Sequence, residues 1–164
     1  MNFLENFEEG FKWLHTKGAF LTVKTGELVN TMTIAWGNIG YEWNIPVFSV
    51  LVRRSRYTFE LIEKAKDFTV SIPLSENLKD ELMFCGTKSG RDYDKFKECD
   101  LKLKKSNQVE SPIIEECELH YECEIVGKAP LIPNLLNDYL RDTVYRGNDY
   151  HTIYYGKILD TYKL

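Results

Sequence analysis

The segment GAFLTVKTGELVNTMTIAWGN, residues 18–38, constrains the fold more than any other stretch of the chain. Two runs rich in β-branched and aromatic residues flank Thr25-Gly26, a dipeptide typical of a tight turn between antiparallel strands. Strands paired through tight turns build an antiparallel sheet, whereas parallel strands need long crossover connections. The segment therefore predicts a β-hairpin at the start of an antiparallel sheet.

The remaining patterns add more strands than helices. Apolar or alternating runs predict strands at 46–52, 67–73, 117–127 and 151–162. Helical spacing predicts short helices at 2–14, from 57 to about 66 with Ser55 as N-cap, and at 75–84. Residues 133–149 fit either a short helix or a loop, and residues 37–40 resemble only a turn. The length and pattern predict a single domain (1–164), mainly β with short helices (α+β), for which a closed antiparallel barrel fits best.

Net charge and hydropathy argue against nucleic acid and membranes as binding partners. A net charge of −4 argues against nucleic acid as the main partner, because such binding needs a dominant basic face. The chain has no run of membrane-spanning length and no apolar signal segment, so we expect a cytoplasmic protein without membrane contact. The four cysteines show no CxxC pair or zinc spacing. His120 and Cys123 would project to opposite faces of a strand, so no metal site is expected.

A first candidate site segment is NTMTIAWG, which runs from Asn30 to Gly37. Its residue types suit a core strand anchored by Trp36. The same strand could also offer small polar groups and backbone amides to the rim of a flat heterocycle. The pattern alone leaves both interpretations open.

A second candidate segment is VRRSRYTFELIEK, residues 52–64, where a strand ends in three arginines and a helix begins at once. The first turn of a helix presents free N–H groups and favours anions. Arginines and hydroxyls beside such a turn are good donors to a phosphate dianion. The alternative is that the arginines are only solvated.

The third candidate is CGTKSGRDYDKF, residues 85–96, which combines glycines, hydroxyls and cations. Glycine lets backbone approach a ligand closely, and the hydroxyls and cations suit phosphate oxygens. The segment lacks the GxxxxGK[ST] pattern of a P-loop, and on its own it is compatible with a polar surface turn.

Taken in this order and spacing, the three segments resemble the flavin reductase-like proteins of the FMN-binding split β-barrel superfamily, which include flavoredoxin and archaeal ferric reductase. The resemblance runs from about Gly18 to Gly127, and the final strand matches how these chains end. It implies an FMN cofactor and a homodimer with FMN near the interface. It also implies NAD(P)H as a transient substrate and a possible redox protein partner.

The resemblance also assigns roles to residues. Residues near the isoalloxazine ring and ribityl chain would be Asn30, Thr31, Met32, Thr33 and Trp36. Residues at the phosphate would be Arg53, Ser55, Arg56 and Thr58. Residues that close over phosphate and ribityl chain from the other side would be Cys85, Gly86, Ser89 and Gly90, with Asp94 and Lys95 bracing that segment and Lys95 a candidate to reach the flavin.

These assignments predict an NAD(P)H-dependent flavin oxidoreductase that transfers a hydride to flavin and passes electrons to free flavin, ferric iron or a redox partner. The alternatives are a flavoredoxin-type electron carrier without efficient NAD(P)H oxidation and a non-enzymatic flavin-binding module. No catalytic acid or base is required. His151 is a candidate to support reduced flavin through its charge, and the alternative is a surface or hydrogen-bonded histidine.

Overall fold

A computed structural model of the chain describes residues 3–164 and is dominated by antiparallel strands. In chain order the strands are β1 Ala19–Thr25, β2 Leu28–Ile34, β3 Gly37–Glu42, β4 Ile45–Arg53, β5 Asp67–Ile72, β6 Leu103–Lys104, β7 Ile113–Ile114, β8 Leu119–Pro130 and β9 His151–Lys163. The helices are α1 Phe7–Thr16, α2 Tyr57–Ile62, α3 Lys79–Thr87, α4 Lys95–Glu98 and α5 Asp138–Thr143, with a 3-10 turn at Pro133–Leu135. The prediction of a mainly β fold with short helices is confirmed.

The main sheet has the strand order β2-β1-β5-β8-β9-β4-β3, so β2 and β3 are its edges. Ala35 and Trp36 alone link these two edge strands, and the sheet therefore curls back on itself at that link. Within residues 3–164, β2 pairs with β1 and β3 pairs with β4, and no hydrogen-bonded pairing joins β2 to β3. The prediction of a closed barrel is therefore wrong, and the split form implied by the family resemblance is confirmed.

Two tight hairpins begin the sheet. The β1–β2 loop has Gly26 at φ +57°, where glycine adopts positive φ without steric cost. The β3–β4 loop is Trp43-Asn44, with both residues at positive φ, as a type I′ turn requires. Residues 37–40 thus belong to a strand, not to a turn. An unusual tryptophan in the loop hid this second hairpin from sequence analysis.

The helices differ from their predicted bounds. Helix α1 begins at Phe7 because Asn6 is at φ +65°, so the helix predicted from 2 starts one turn late, and Asn2 lies outside the described residues. Helix α2 ends at Ile62, and the N-cap is Arg56 rather than Ser55. Helix α3 runs to Thr87 and therefore includes the first residues of the third candidate segment. The ambiguous residues 133–149 contain both the 3-10 turn and α5.

The core lies inside the curled sheet. Strand β5 is buried along its whole length, and the first residues of β8 are buried on both faces. The loop at Asn107 and Gln108 covers the second face of β8. Glu122 on that face accepts hydrogen bonds from the backbone N–H groups of Asn107 and Gln108 (2.8 and 2.6 Å) and from the hydroxyl of Tyr162. Helices α2 and α3 pack on β1 and β2. This packing leaves the split edge at β2 as the wall of a groove.

Candidate functional site

The three candidate segments meet at the β2 edge and are joined by hydrogen bonds. Lys95 donates from Nζ to the carbonyl oxygens of Thr31 (2.9 Å) and Cys85 (2.8 Å). Arg56 donates to the Gly86 carbonyl oxygen (3.0 Å). These bonds tie β2, the turn before α2, and the end of α3 into one framework.

The first of three adjoining cavities, named here the cationic cavity, has a volume of about 120 Å³. Cations, hydroxyls and glycine backbone dominate its wall. Its lining residues are Asn30, Met32, Ser55, Arg56, Tyr57, Thr58, Cys85, Thr87, Lys88, Ser89, Gly90, Arg91 and Lys95.

The charges in the cationic cavity are only partly compensated. Arg91 pairs with the Glu60 carboxylate and lies 5.3 Å from the Tyr57 ring centroid. Among the salt bridges within residues 3–164, none involves Arg56 or Lys88. Arg56 uses one of its donors on Gly86, and an arginine carries five N–H donors. The cavity therefore presents net positive charge and spare donors, as a phosphate group requires.

The second cavity, named the strand cavity, has a volume of about 190 Å³ and shares Met32 and Arg56 with the first. Apolar and polar side chains share its wall, and Trp36 of the β2–β3 link is 49% exposed. Its lining residues are Met32, Thr33, Ile34, Ala35, Trp36, Leu51, Arg53, Arg56 and His151. A wall that combines apolar side chains with a few polar groups suits an aromatic ring system.

The third of these adjoining cavities, named the outer cavity, has a volume of about 490 Å³ and is larger than the other two. It adjoins the strand cavity at Thr33 and the cationic cavity at Thr87. Thr33 donates to the Leu82 carbonyl oxygen (2.5 Å), which fixes the wall between β2 and α3. The lining residues are Thr16, Lys17, Thr33, Ser75, Glu76, Lys79, Leu82, Met83, Gly86 and Thr87.

Of the fourteen cofactor residues proposed from the sequence, Thr31 alone lines none of the three cavities. Its side chain is fully buried and donates to the Leu21 carbonyl oxygen, while its hydroxyl accepts from Thr22 (3.1 Å). Strand alternation turns it away from Asn30 and Met32. Thr31 contributes only its carbonyl oxygen to the framework, and the other thirteen residues line one or more of the three cavities.

Two glycines let backbone come close to the β2 wall. A Cβ on Gly90 would lie 2.1 Å from Asn30 Oδ1 and 2.9 Å from Tyr57 Cδ1. A Cβ on Gly86 would lie 3.2 Å from Thr33 Cβ. The glycines predicted to approach a ligand thus also allow the third segment to pack against β2 and α2.

Lys95 and Cys85 are buried beneath the cationic cavity. Desolvation lowers the pKa of Lys95 to about 8 and raises the pKa of the Cys85 thiol to about 12. Two of the three ammonium donors of Lys95 already bind carbonyl oxygens. This geometry makes Lys95 a brace between β2 and α3. Asp94 caps α4 by accepting from the Lys97 N–H (3.3 Å), and its role in bracing the third segment stays a prediction.

His151 lies at the far side of the strand cavity. It is 6% exposed, its ring is 5.3 Å from that of Trp36, and Nδ1 is 2.8 Å from the Tyr145 hydroxyl. Burial and then the charge of Arg53 lower the pKa of His151 to about 4. The imidazole is therefore neutral near pH 7, which disfavours a cationic role.

Sequence analysis missed the contribution of residues 144–150. Arg53 donates to the carbonyl oxygens of Asp149 (2.8 Å) and Val144 (3.3 Å), and it lies 5.4 Å from the Tyr145 ring centroid. Ser55 binds the Asp149 carboxylate. The spacing of almost 100 residues left no local signal for these contacts.

The described residues include neither a cluster of metal-binding side chains nor a helix that could span a membrane. Within residues 3–164 there is no group of three or more His, Cys, Asp or Glu side chains that could hold a metal ion. His120 instead bonds the Ser71 hydroxyl (3.1 Å) and the Cys117 carbonyl oxygen (2.9 Å). The helices of this part of the chain are too short or too polar to cross a bilayer.

Comparison with known proteins gives a consistent picture. Residues 14–163 match the model of the Flavin reductase like domain. An uncharacterised protein of Pyrococcus abyssi is 30% identical over 159 residues, covering 94% of this chain and 79% of that protein. An uncharacterised protein of Archaeoglobus fulgidus is 33% identical over 115 residues, covering 70% of this chain. The match spans 64% of the length of the Archaeoglobus protein.

Among solved structures, flavoredoxin from Methanosarcina acetivorans has the same fold. The TM-score is 0.70 at 23% sequence identity, and the match covers 90% of this chain and 68% of flavoredoxin. At that identity the similarity demonstrates the fold.

Proposed function

The chain belongs to the flavin reductase-like domain family, and on that premise we propose that it is an FMN-binding oxidoreductase. It would take electrons from NAD(P)H and pass them to free flavin, ferric iron or a redox protein. The observation that carries the proposal is the juxtaposition of the cationic cavity with the strand cavity. Arg56 lines both, so one elongated ligand can place an anion in the first and a flat ring in the second.

The residues present fit FMN at its phosphate. Arg56, Lys88 and Ser89 supply charge and donors in the cationic cavity without an opposing salt bridge among the described residues. Charge-assisted hydrogen bonds of this kind are stronger than neutral ones. Lys95 holds the two sides of the cavity at a fixed separation by bonding Thr31 and Cys85.

The strand cavity fits the isoalloxazine ring. Met32, Ile34 and Ala35 offer apolar surface, and Trp36 provides an aromatic side at the open split between β2 and β3. FMN, when bound, supplies the redox chemistry and accepts or releases one or two electrons. The protein contributes orientation of the ring and control of solvent access.

A nicotinamide nucleotide would enter without a dedicated dinucleotide-binding domain, because the chain has no GxGxxG sequence. The outer cavity adjoins the strand cavity at Thr33. Lys79 on its wall suits a phosphate of the nucleotide, whereas Lys17 on the same wall is paired with the Glu76 carboxylate. Few contacts would hold the adenosine half, so we expect a Michaelis constant on the order of 0.1 mM or weaker.

A homodimer is part of the proposal. Several large apolar side chains are exposed, among them Trp36 (49%) in the strand cavity and Ile132 (55%), Leu135 (78%) and Tyr139 (71%) in the segment before β9. We infer that these side chains belong to a contiguous apolar patch of the kind that marks an association surface. Sedimentation equilibrium would measure the assembly, and a monomer at micromolar concentration would contradict this part of the proposal.

The fold similarity to flavoredoxin favours a second candidate, an electron carrier in which FMN shuttles electrons between proteins. Anaerobic stopped-flow reduction of the FMN-loaded protein by NADH and NADPH separates the two. Rapid bleaching by either nucleotide supports the reductase. Slow bleaching by both nucleotides, with rapid reduction by a donor protein, supports the carrier.

FMN binding itself is tested by calorimetry with FMN and riboflavin on wild-type protein and Arg56→Ala. We expect Arg56→Ala to weaken FMN by about one to two decades, the value of a charge-assisted hydrogen bond, and riboflavin much less. Arg54→Ala is the matched control, because Arg54 is exposed and lies outside the cavity lining. Equal losses for the two flavins would remove Arg56 from the phosphate, and no binding of FMN to wild type would refute the proposed function.

A further inference from the structure

The carboxylate of Asp149 occupies the donors of Ser55, one of the residues on the wall of the cationic cavity. Ser55 donates from its hydroxyl to Asp149 Oδ2 (2.6 Å) and from its backbone N–H to Asp149 Oδ1 (3.2 Å). The two carboxylate oxygens accept both of the hydrogens that Ser55 could offer to a phosphate. Ser55 therefore has no hydrogen left to donate to a ligand in this arrangement.

The position of Asp149 does not depend on its carboxylate alone. Its backbone carbonyl oxygen accepts from Arg53 (2.8 Å), whose second amino group donates to the Val144 carbonyl oxygen (3.3 Å). Tyr145 lies beside the Arg53 guanidinium, and its hydroxyl bonds His151. The segment is held by several contacts that would remain if the carboxylate were replaced by an amide.

We propose that Asp149 is a specificity-determining residue that weakens the binding of phosphorylated flavin, so that FMN exchanges from the site rather than remaining as a tightly held group. The inference rests on the proposed function, because it concerns the same cavity. A negative charge hydrogen-bonded to Ser55 repels a phosphate bound by Arg56 and Ser89 on the same wall. It also withdraws two donors that would otherwise bind the phosphate.

A purely structural role for Asp149 makes a different prediction. If the carboxylate served only to attach residues 144–150 to the turn before α2, its loss would loosen the strand cavity as well, through Tyr145 and His151. Riboflavin and FMN would then lose affinity together. The ratio of the two affinities therefore distinguishes charge competition from structural support.

The experiment compares wild type, Asp149→Asn and Asp149→Ala, with Asp142→Asn as matched control. Asn keeps the size and an acceptor for Ser55 but removes the charge, whereas Ala also frees the serine donors. Asp142 is exposed on α5, so Asp142→Asn removes the same charge from the same region of the chain. Dissociation constants for FMN and riboflavin are measured by fluorescence titration, and FMN release by stopped-flow dilution.

We expect Asp149→Asn to tighten FMN on the order of tenfold, the scale of one charge removed near a partly solvated phosphate. Riboflavin should change by less than about twofold, since it carries no phosphate charge. FMN release should slow, and Asp142→Asn should resemble wild type. Unchanged FMN affinity, equal changes for both flavins, or weaker FMN binding in both Asp149 variants would overturn the inference. Each of these results is compatible with the proposed function, which fails only if wild type binds no FMN.

Discussion

The pH dependence of unfolding should report on the buried lysine that joins β2 to α3. Lys95 is 4% exposed, and its Nζ donates to the carbonyl oxygens of Thr31 and Cys85. Desolvation of the charged form lowers its pKa from 10.5 to about 8. Replacing Lys95 with methionine keeps an unbranched apolar side chain of similar length and removes the titrating group.

The direction of the effect follows from proton binding. Between pH 8 and 10.5 the unfolded chain holds the lysine proton and the folded chain has released it, so folding becomes more favourable as pH rises. Below pH 8 both states are charged and this contribution is constant. Each pKa unit corresponds to about 1.4 kcal/mol, so a difference of about 2.5 changes the free energy of unfolding by about 3 kcal/mol across the window.

The assay is urea unfolding of wild type and Lys95→Met at several values between pH 7 and 10.5, with linear extrapolation to water. We expect the stability of wild type relative to Lys95→Met to rise by about 3 kcal/mol over that range. Groups with raised pKa values, such as the Cys85 thiol, titrate in both proteins and largely cancel in the difference. Lys97→Met is the control, because Lys97 is exposed on the same helix.

A stability difference that stays constant with pH would refute the reasoning, since it would mean that Lys95 holds its proton equally in both states. The same rise in the stability of wild type relative to Lys97→Met would also refute it, because Lys97→Met retains Lys95 and should follow wild type. That result would assign the pH dependence to net charge rather than to burial.

Three other outcomes can be checked with single substitutions or reagents. Gly90→Ala should weaken FMN binding by about tenfold, because the added Cβ would overlap Asn30 Oδ1. Gly147→Ala is the control, because Gly147 has open space around it, and equal FMN affinities of the two variants in fluorescence titration would contradict this. Glu122→Gln should lower the free energy of unfolding, measured in urea, by about 3 kcal/mol, because it replaces a buried carboxylate that accepts three hydrogen bonds. A loss below about 1 kcal/mol would contradict this prediction. Iodoacetamide at pH 8 should leave Cys85 unmodified in the folded protein and alkylate it in urea, as peptide mass spectrometry can show. Rapid labelling of Cys85 itself in the folded protein would contradict the raised pKa.

Local patterns were enough to predict most strands. The run 46–52 falls within β4, residues 67–73 contain β5, and the hairpin at Thr25-Gly26 is present. Helix bounds were less predictable because these helices are short and uncapped by the expected side chains. Ser55 illustrates the reason: its hydroxyl binds Asp149 instead of capping α2, and that partner lies 94 residues away in the sequence.

Residue types predicted much of the candidate site, but not the direction in which each side chain points. Arg56, Ser89 and Gly90 line the cationic cavity as their chemistry indicated. Thr31 belongs to the same motif yet faces Thr22 in the core, because alternation along β2 turns it inward. The register of β2 against β1 decides this orientation, and register depends on the whole sheet.

The sequence by itself determined the antiparallel strands, the tight turn at Gly26 and the supply of arginines, hydroxyls and glycines, because these depend on the intrinsic chemistry of neighbouring residues. Tertiary structure decided where each group acts. Strand pairing separates β2 from β3 and opens the split that contains Trp36. Packing buries Lys95 and His151 and lowers both pKa values, since the cost of burying a charge depends on surroundings assembled from distant segments.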